Sequence, residues 1–281
     1  MPPRTTTSSM TPRPPLVLGG GYTGHVLFRL SSELERAMML SSRTPDRSLA
    51  EIPESARLRF DLMNVSTWKT VPAEAEIIWT FPAAPLSQVQ AFVEQVGPRI
   101  RRCVVLGSSS AYNQAPEVAQ GEWITEEATI DQTIPRVQGE EWLRSRLKAT
   151  VLRIAGIYGP GRNPLNWIRQ RRVPYSPRWV NLIHVEDLAG ICLAALERGR
   201  PGEIYNVSDG TPRRWSDIMD EAAARWQIPR PESASSPKLG KRLSIDKLTR
   251  ELDYKMRHPD LFTALEPLEK ASKARPPHHR T

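Results

Sequence analysis

The chain has 281 residues, with 39 Lys+Arg against 31 Asp+Glu, a formal net charge of +8 and 39% hydrophobic residues. That is long enough to bury a substantial core and too apolar for a disordered chain. Arg4, Arg13, Lys270, Lys273, Arg275 and Arg280 lie in acid-free ends, residues 1–15 and 270–281, and supply +6 of the +8, so the body is nearly balanced and no nucleic-acid partner is expected. No run of about 18 apolar residues marks a membrane span, and the Arg/Ser/Thr/Pro-rich start lacks the apolar stretch of a secretory signal. The expectation is a cytoplasmic protein with no membrane contact. Cys103 and Cys192 sit in the apolar runs RRCVVLG and AGICLAAL. They read as buried small hydrophobes, with no disulfide framework and no metal site.

In chain order, Pro14–Gly19 (PPLVLG) predicts a short apolar strand ending in glycines. Tyr22–Met39 follows as a helix with Val26, Leu27, Leu30, Leu34 and Ala37 on one face. Met38–Ser41, Leu58–Phe60, Glu76–Phe81, Cys103–Leu106 and Thr150–Ile154 predict further strands, with helices over Leu86–Val96 and Ile134–Leu147. Beyond Gly159 the pattern changes. Residues 160–180 are Pro/Arg/Asn-rich and read as irregular; Glu186–Leu196 is a helix with Asp187 near its start, Glu203–Val207 a strand, Ser216–Arg225 a helix, Pro229–Leu239 a loop and Ser244–Leu252 a last helix. Short apolar strands alternating with amphipathic helices predict an α/β fold, a doubly wound parallel sheet covered on both faces.

Gly19-Gly20-Gly21-Tyr22-Thr23-Gly24 satisfies G-x-G-x-x-G between the first strand and the first helix. Gly19 permits the tight turn, Gly21 lets the backbone approach a pyrophosphate, and Gly24 lets the helix pack close to the strand. Phosphates would meet the N–H groups at the helix start. An NAD-selective site wants an acid about 20 residues further on, where this chain has Ser41-Ser42-Arg43. Hydroxyls and a guanidinium suit a 2′-phosphate, so NADP(H) is favoured with NAD as the alternative; the plainer reading leaves Arg43 a solvated charge. Asp61 is placed to accept from an adenine amine or to cap the turn after the third strand. Leu62, Phe81 and Pro82 join Gly19, Gly21, Tyr22, Thr23, Gly24, Ser42, Arg43 and Asp61 in the expected cofactor set.

These segments, with FDL at 60–62, SSSAY at 108–112, VLRIAGIYGPGR at 151–162, NLIHVEDLA at 181–189 and IYNVSDG at 204–210, resemble an extended short-chain dehydrogenase/reductase of the NAD-dependent epimerase/dehydratase family over roughly residues 15–265. The resemblance implies a Rossmann-type sheet of about seven strands with a smaller C-terminal substrate lobe. On this reading residues 1–14 are a disordered tail and 15–159, with 180–207 returning, the dinucleotide-binding domain. Residues 160–179 and 208–269 form the substrate lobe, and 270–281 a basic disordered tail.

In that family a Ser or Thr after the fifth strand polarises the substrate, and a Tyr four residues before a Lys on the next helix moves the proton. Here Ser109 matches the serine, with Ser108 and Ser110 beside it. The helix carries Arg136 and Glu140 where the Tyr and Lys belong, and no Tyr or Lys occurs between Asn113 and Arg146. An arginine holds its proton too tightly to act as an ordinary general acid. Glu140, Glu141, Tyr158 or His184 are the remaining proton carriers; the plainer readings are a surface i,i+4 ion pair for Arg136 and Glu140, packing under the lobe for Tyr158 and, as the resemblance implies, a structural corner at His184 with Asp187 capping the following helix. Leu182 stands where nucleotide-sugar enzymes of the family often carry an arginine. The run Arg169–Arg172 with Arg178, flanked by Trp167 and Trp179, is either a solvated face or the receiver of an anionic substrate.

The sequence therefore points to an oxidoreductase or epimerase-like enzyme for a small polar carbonyl or hydroxyl compound, with Ser109 on the substrate oxygen. The alternative is a non-catalytic NADP(H)-binding sensor or scaffold. A third reading gives the basic tails contacts with RNA or a membrane surface. A homodimer paired through flanking helices is the expected assembly, though no interface is specified.

Overall fold

The computed structural model describes residues 13–231 and 239–274. Most of both expected tails, and residues 232–238 of the expected 229–239 loop, lie outside the described residues.

Seven strands form the central sheet: β1 Leu16–Leu18, β2 Met39–Ser42, β3 Arg57–Arg59, β4 Ala75–Trp79, β5 Ile100–Ser108, β6 Thr150–Ile154 and β7 Ile204–Val207. Their order is β7-β6-β5-β4-β1-β2-β3 and every pairing is parallel. The chain winds outward from β1 to β3 and then returns to the other side with β4. The strand order therefore reverses between β1 and β4, the position at which open α/β sheets form a crevice beyond their carboxyl ends. The inner strands are apolar because both faces are covered: β1 and β6 are buried at every position.

One face is covered by α1 (Tyr22–Glu33) and the other by α2 (Leu86–Val96) and α3 (Pro135–Leu147). A short helix, α4 (Pro164–Arg169), precedes α5 (Val185–Arg198), which packs beside α1. Then come α6 (Trp215–Trp226), α7 (Asp246–Leu252) and α8 (Leu261–Ala274). Leu165, Ile168, Ile218, Leu261 and Leu265 of α4, α6 and α8 build a separate lobe core. Cys103 and Cys192 are buried free thiols.

Four expectations are corrected. Helix α1 stops at Glu33 rather than Met39, because Glu35 takes a left-handed conformation (φ +54°) and Ser31 closes the end by accepting from the Arg36 N–H and donating its hydroxyl to the Arg36 carbonyl. Leu34 and Ala37 are consequently exposed. Residues 160–180 are not wholly irregular, since Asn163 caps α4 through the Leu165 N–H at 2.9 Å. Asp187 does not cap α5. His184 takes that place, accepting from the Glu186 N–H, while the buried Asp187 accepts from the Tyr254 hydroxyl and from the N–H groups of Arg257 and His258. Finally, α7 is followed by α8, which runs through residues 270–274 of the expected tail. The internal Pro267 removes one helix hydrogen bond and conceals the helix from a pattern reading.

Candidate functional site: two cavities along the carboxyl edge of the sheet

Gly19 and Gly24 of the glycine loop are fixed by contacts that leave no alternative residue. Gly19 has φ +111°, and a Cβ there would lie 2.5 Å from Thr80 Oγ1. A Cβ at Gly24 would come 2.2 Å from the Gly19 carbonyl oxygen, so only glycine lets α1 start this close to β1. The buried Ser41 hydroxyl accepts from the Gly19 N–H at 3.2 Å, and the Thr80 hydroxyl donates to the Leu18 and Gly19 carbonyls at 3.0 and 2.9 Å. Gly21 differs from its neighbours: a Cβ there would meet nothing within 4 Å. It is the N-cap of α1, where no side chain caps the helix and no acid occupies the first turn. The free N–H groups and positive helix end are therefore available to an anion.

Above this loop lies a cavity of about 540 Å³ lined by Gly19, Gly20, Gly21, Ser42, Arg43, Phe60, Asp61, Leu62, Met63, Phe81, Pro82 and Ala84. It brings together eight of the eleven expected cofactor residues. Of the other three, Thr23 and Gly24 are buried in the first turn of α1. Tyr22 turns away: its ring lies under the Arg162 guanidinium (4.2 Å) and its buried hydroxyl has no hydrogen-bond partner. Arg43 is exposed and has no ion-pair partner among the described residues. Ser42 bonds Ser48 Oγ at 2.6 Å and accepts from the Thr44 N–H, which fixes the turn carrying Arg43. Asp61 uses one oxygen to accept from the Met63 N–H.

Beyond β5, the Ser108 hydroxyl accepts from the N–H and hydroxyl of Ser110 (3.1 and 2.9 Å), which turns Ser109 to the edge. Ser109 lines a second cavity of about 450 Å³ with Asn113, Gly156, Trp167, Arg178, Trp179, Asn181, Trp215 and Lys241 among others. Trp167, Arg178 and Trp179 were anticipated near a pocket. Asn113, Trp215 and Lys241 were not: they come from three separated segments, and only the fold joins them. The rest of the arginine run is spent elsewhere; Arg169 is paired with Glu269 and Arg171 and Arg172 are exposed.

None of the four proposed proton carriers lines either cavity, and Glu141 is paired with Arg153 at 2.8 Å and Arg144 at 2.7 Å. Glu140 is fully buried, and its carboxylate is held by the fully buried Arg153 of β6 and by Arg136 Nε at 3.0 Å; Arg136 also donates to the Leu106 carbonyl at 3.2 Å. The pair expected on the helix surface is therefore an interior clamp joining α3, β5 and β6. Burial pushes the Glu140 carboxyl up, against the pull of the two arginines. Tyr158 belongs to the lobe core, edge-on to His184 at 5.2 Å, with its hydroxyl buried and unpartnered. Burial, aided by Asp209 and Asp187, pushes that hydroxyl far up.

His184 stacks on His258 with ring centroids 3.8 Å apart, and His258 Nε2 lies 3.1 Å from Glu186. The ligand atoms of His184, Glu186 and His258 fall within 4.8 Å of one another, the one such group among the described residues, but Arg29 already pairs with Glu186 at 2.7 Å. Burial and the neighbouring His258 bring His184 down to about 4. Among the described residues no helix is long and apolar enough to cross a membrane.

No family model matches the chain. It is 27% identical over 190 residues to Protein YeeZ of Escherichia coli (strain K12), a match covering 62% of this chain and 65% of that protein. Among solved structures, it resembles a functionally unknown conserved protein from Silicibacter pomeroyi (TM-score 0.73, 25% identity, 91% of this chain and 98% of that one). It also resembles dTDP-glucose 4,6-dehydratase from Bacillus anthracis in complex with NAD (TM-score 0.73, 15% identity, 92% and 96%). The fold implied by the family resemblance is thus the fold observed, a Rossmann-type parallel sheet shared with NAD-dependent epimerases and dehydratases.

Proposed function

We propose that the chain is a nicotinamide-dinucleotide-dependent enzyme of the extended short-chain dehydrogenase/reductase type, acting as an oxidoreductase or epimerase on a small carbonyl or hydroxyl compound. The observation that carries this reading is the uncapped start of α1 beneath open space at Gly21, at the edge of a cavity of about 540 Å³. The pyrophosphate fits over Gly21 and the helix N–H groups, the adenine end by Asp61 and Leu62, and the 2′-phosphate on Arg43. The dehydratase of the same fold holds NAD, whereas the unpaired Arg43 and the lack of an acid at the end of β2, where Ser41-Ser42-Arg43 stands, favour NADP(H) here. The bound dinucleotide supplies hydride exchange. Ser109, turned outward by Ser108 and Ser110, hydrogen-bonds the substrate oxygen and stabilises charge developing there.

Titration with NADPH and NADH, followed by tryptophan quenching, tests this reading. We expect NADPH to bind more tightly, Gly21→Trp to abolish both, and Arg43→Ala to weaken NADPH alone by about 10–100-fold, the worth of a charge-assisted contact. Absence of binding by either nucleotide defeats the reading. The second reading, a dinucleotide sensor without turnover, draws on α3 carrying a buried clamp where the family has its Tyr and Lys. Binding without turnover over a broad carbonyl panel would favour it.

A further inference from the structure

The second cavity has an unbalanced charge. Its lining includes Arg178 and Lys241 and contains no Asp, Glu, His, Cys or Tyr. The Lys241 ammonium donates to Asn113 Oδ1, a neutral acceptor, and neither cation has a carboxylate partner among the described residues. Trp167 and Trp215, with ring centroids 6.5 Å apart, supply indole surface to the same lining, while the Trp179 ring is met by the guanidinium groups of Arg214 (5.0 Å) and Arg242 (5.1 Å).

Lys241 is held in place by its backbone. Gly240 has φ +81°, and a Cβ there would lie 2.3 Å from the Trp179 carbonyl oxygen. The Trp179 N–H donates to the Leu239 carbonyl at 2.7 Å, and Asn181 clamps the next residues, its Nδ2 donating to the Lys241 carbonyl (2.8 Å) and its Oδ1 accepting from the Leu243 N–H (3.0 Å). Arg178 is exposed and Lys241 half-buried, so the two like charges share one lining and repel each other, and burial together with Arg178 brings the Lys241 ammonium down to about 8. An anion entering the cavity relieves both penalties, and the aromatic walls favour a flat apolar body behind the charge.

We propose that this cavity binds a small organic carboxylate with a flat apolar body, its charge shared by Arg178 and Lys241 and its body against the indoles. Resting on the function proposed above for Ser109, this makes the substrate a carboxylate-bearing carbonyl or hydroxyl compound. The size of the cavity suits such a molecule, and Leu182, rather than an arginine, lines it.

The test compares two nearly isosteric probes, phenylacetate and phenylacetamide, by calorimetry on the full chain, with NADPH titrated in the same preparations. Phenylacetate should bind at least about tenfold more tightly than the amide. The Arg178→Gln/Lys241→Met variant should lose that preference while its NADPH binding stays unchanged, which also reports that it folds. Phenylacetate affinity should fall as pH rises through about 8, where Lys241 loses its proton, by up to about tenfold per pH unit. Lys241→Arg should abolish that fall because its charge persists. Equal binding of acid and amide, full phenylacetate binding in the double variant, or none at about 10 mM, where even a modest ligand of this size occupies its site, would overturn the proposal. If NADPH fails to bind while the acid is still preferred, the dinucleotide reading falls and the anion site stands.

Discussion

The two cavities are built on the same sheet edge by different means. The one over the glycine loop is made from strand ends and the residues that immediately follow: β1 gives Gly19–Gly21, β2 gives Ser42 and Arg43, β3 leads into Asp61, and β4 leads into Phe81. Each contribution is local, so a strand assignment is enough to place it. The second cavity takes Ser109 from the end of β5, but Trp167, Arg178, Trp215 and Lys241 come from the lobe, up to 132 residues further along the chain. The backbone dictates the first cavity: a glycine turn, an uncapped helix and the ends of adjacent parallel strands suit one class of ligand. Side chains delivered by tertiary packing dictate the second, so the same sheet can serve different chemistry there.

The clamp under the second region offers the sharpest way to break this comparison. If α3 is structural, Glu140→Gln leaves the buried Arg153 with Glu141, at 2.8 Å, as its one remaining carboxylate partner among the described residues. It should then lower unfolding stability by about 3–5 kcal/mol, the usual cost of removing one member of a buried pair. Urea denaturation measures this, and the folded fraction should bind NADPH as before. A variant of undiminished stability that has lost turnover would instead return a catalytic role to that helix, and the contrast drawn above would fail.

A somewhat smaller effect is expected at His184, where the sheet region meets the lobe. Burial and His258 hold its folded value near 4, with Glu186, Asp187 and Arg29 as the other charged neighbours, against an ordinary value of 6.5. The unfolded chain takes up the proton first as pH falls. His184 therefore contributes stability that is complete above about pH 6.5 and lost progressively down to about pH 4, roughly 3 kcal/mol in all. Denaturation of the wild type and of His184→Asn, which keeps a capping acceptor for α5, should show the slope flattened in the variant. Unaltered slopes would mean that the imidazole is already charged in the fold.

These contrasts also explain what was legible in the sequence. The strands were visible through their short apolar stretches, although β3 is Arg-Leu-Arg and β5 extends over nine residues, and α2 was delimited correctly because Pro85 and Gly97 bracket an uninterrupted apolar period. The glycine loop was visible because its requirements fall at fixed spacing within one turn. Helix α8 was hidden by Pro267, and the early end of α1 by a Ser31–Arg36 hydrogen-bond pair that no helix breaker announces. Glu140 could be assigned to an i,i+4 pair with Arg136, yet its burial depended on Arg153, thirteen residues on in another element. Lys241 was invisible for the same reason. What places it is the approach of Gly240 to the Trp179 backbone, a contact between segments 61 residues apart.

The smallest effect probes the border of the cofactor cavity itself. Tyr22 stands inside the glycine motif, where spacing alone assigns it to the dinucleotide, but its ring is covered by Arg162 and its hydroxyl is sealed without a partner; even a Cβ at Gly159 would come within 2.7 Å of that oxygen. An unpaired buried hydroxyl costs stability rather than adding it, whereas the ring contributes packing and about 0.5–1 kcal/mol from the guanidinium above it. Tyr22→Phe should therefore leave stability unchanged or raise it by up to about 1 kcal/mol, and leave NADPH affinity within about twofold. Tyr22→Ala should lose stability through the missing ring. A tenfold loss of NADPH binding in the Phe variant would mean that the hydroxyl swings toward the nucleotide on binding, and the cavity over the glycine loop would then depend on side-chain rearrangement as well as on backbone.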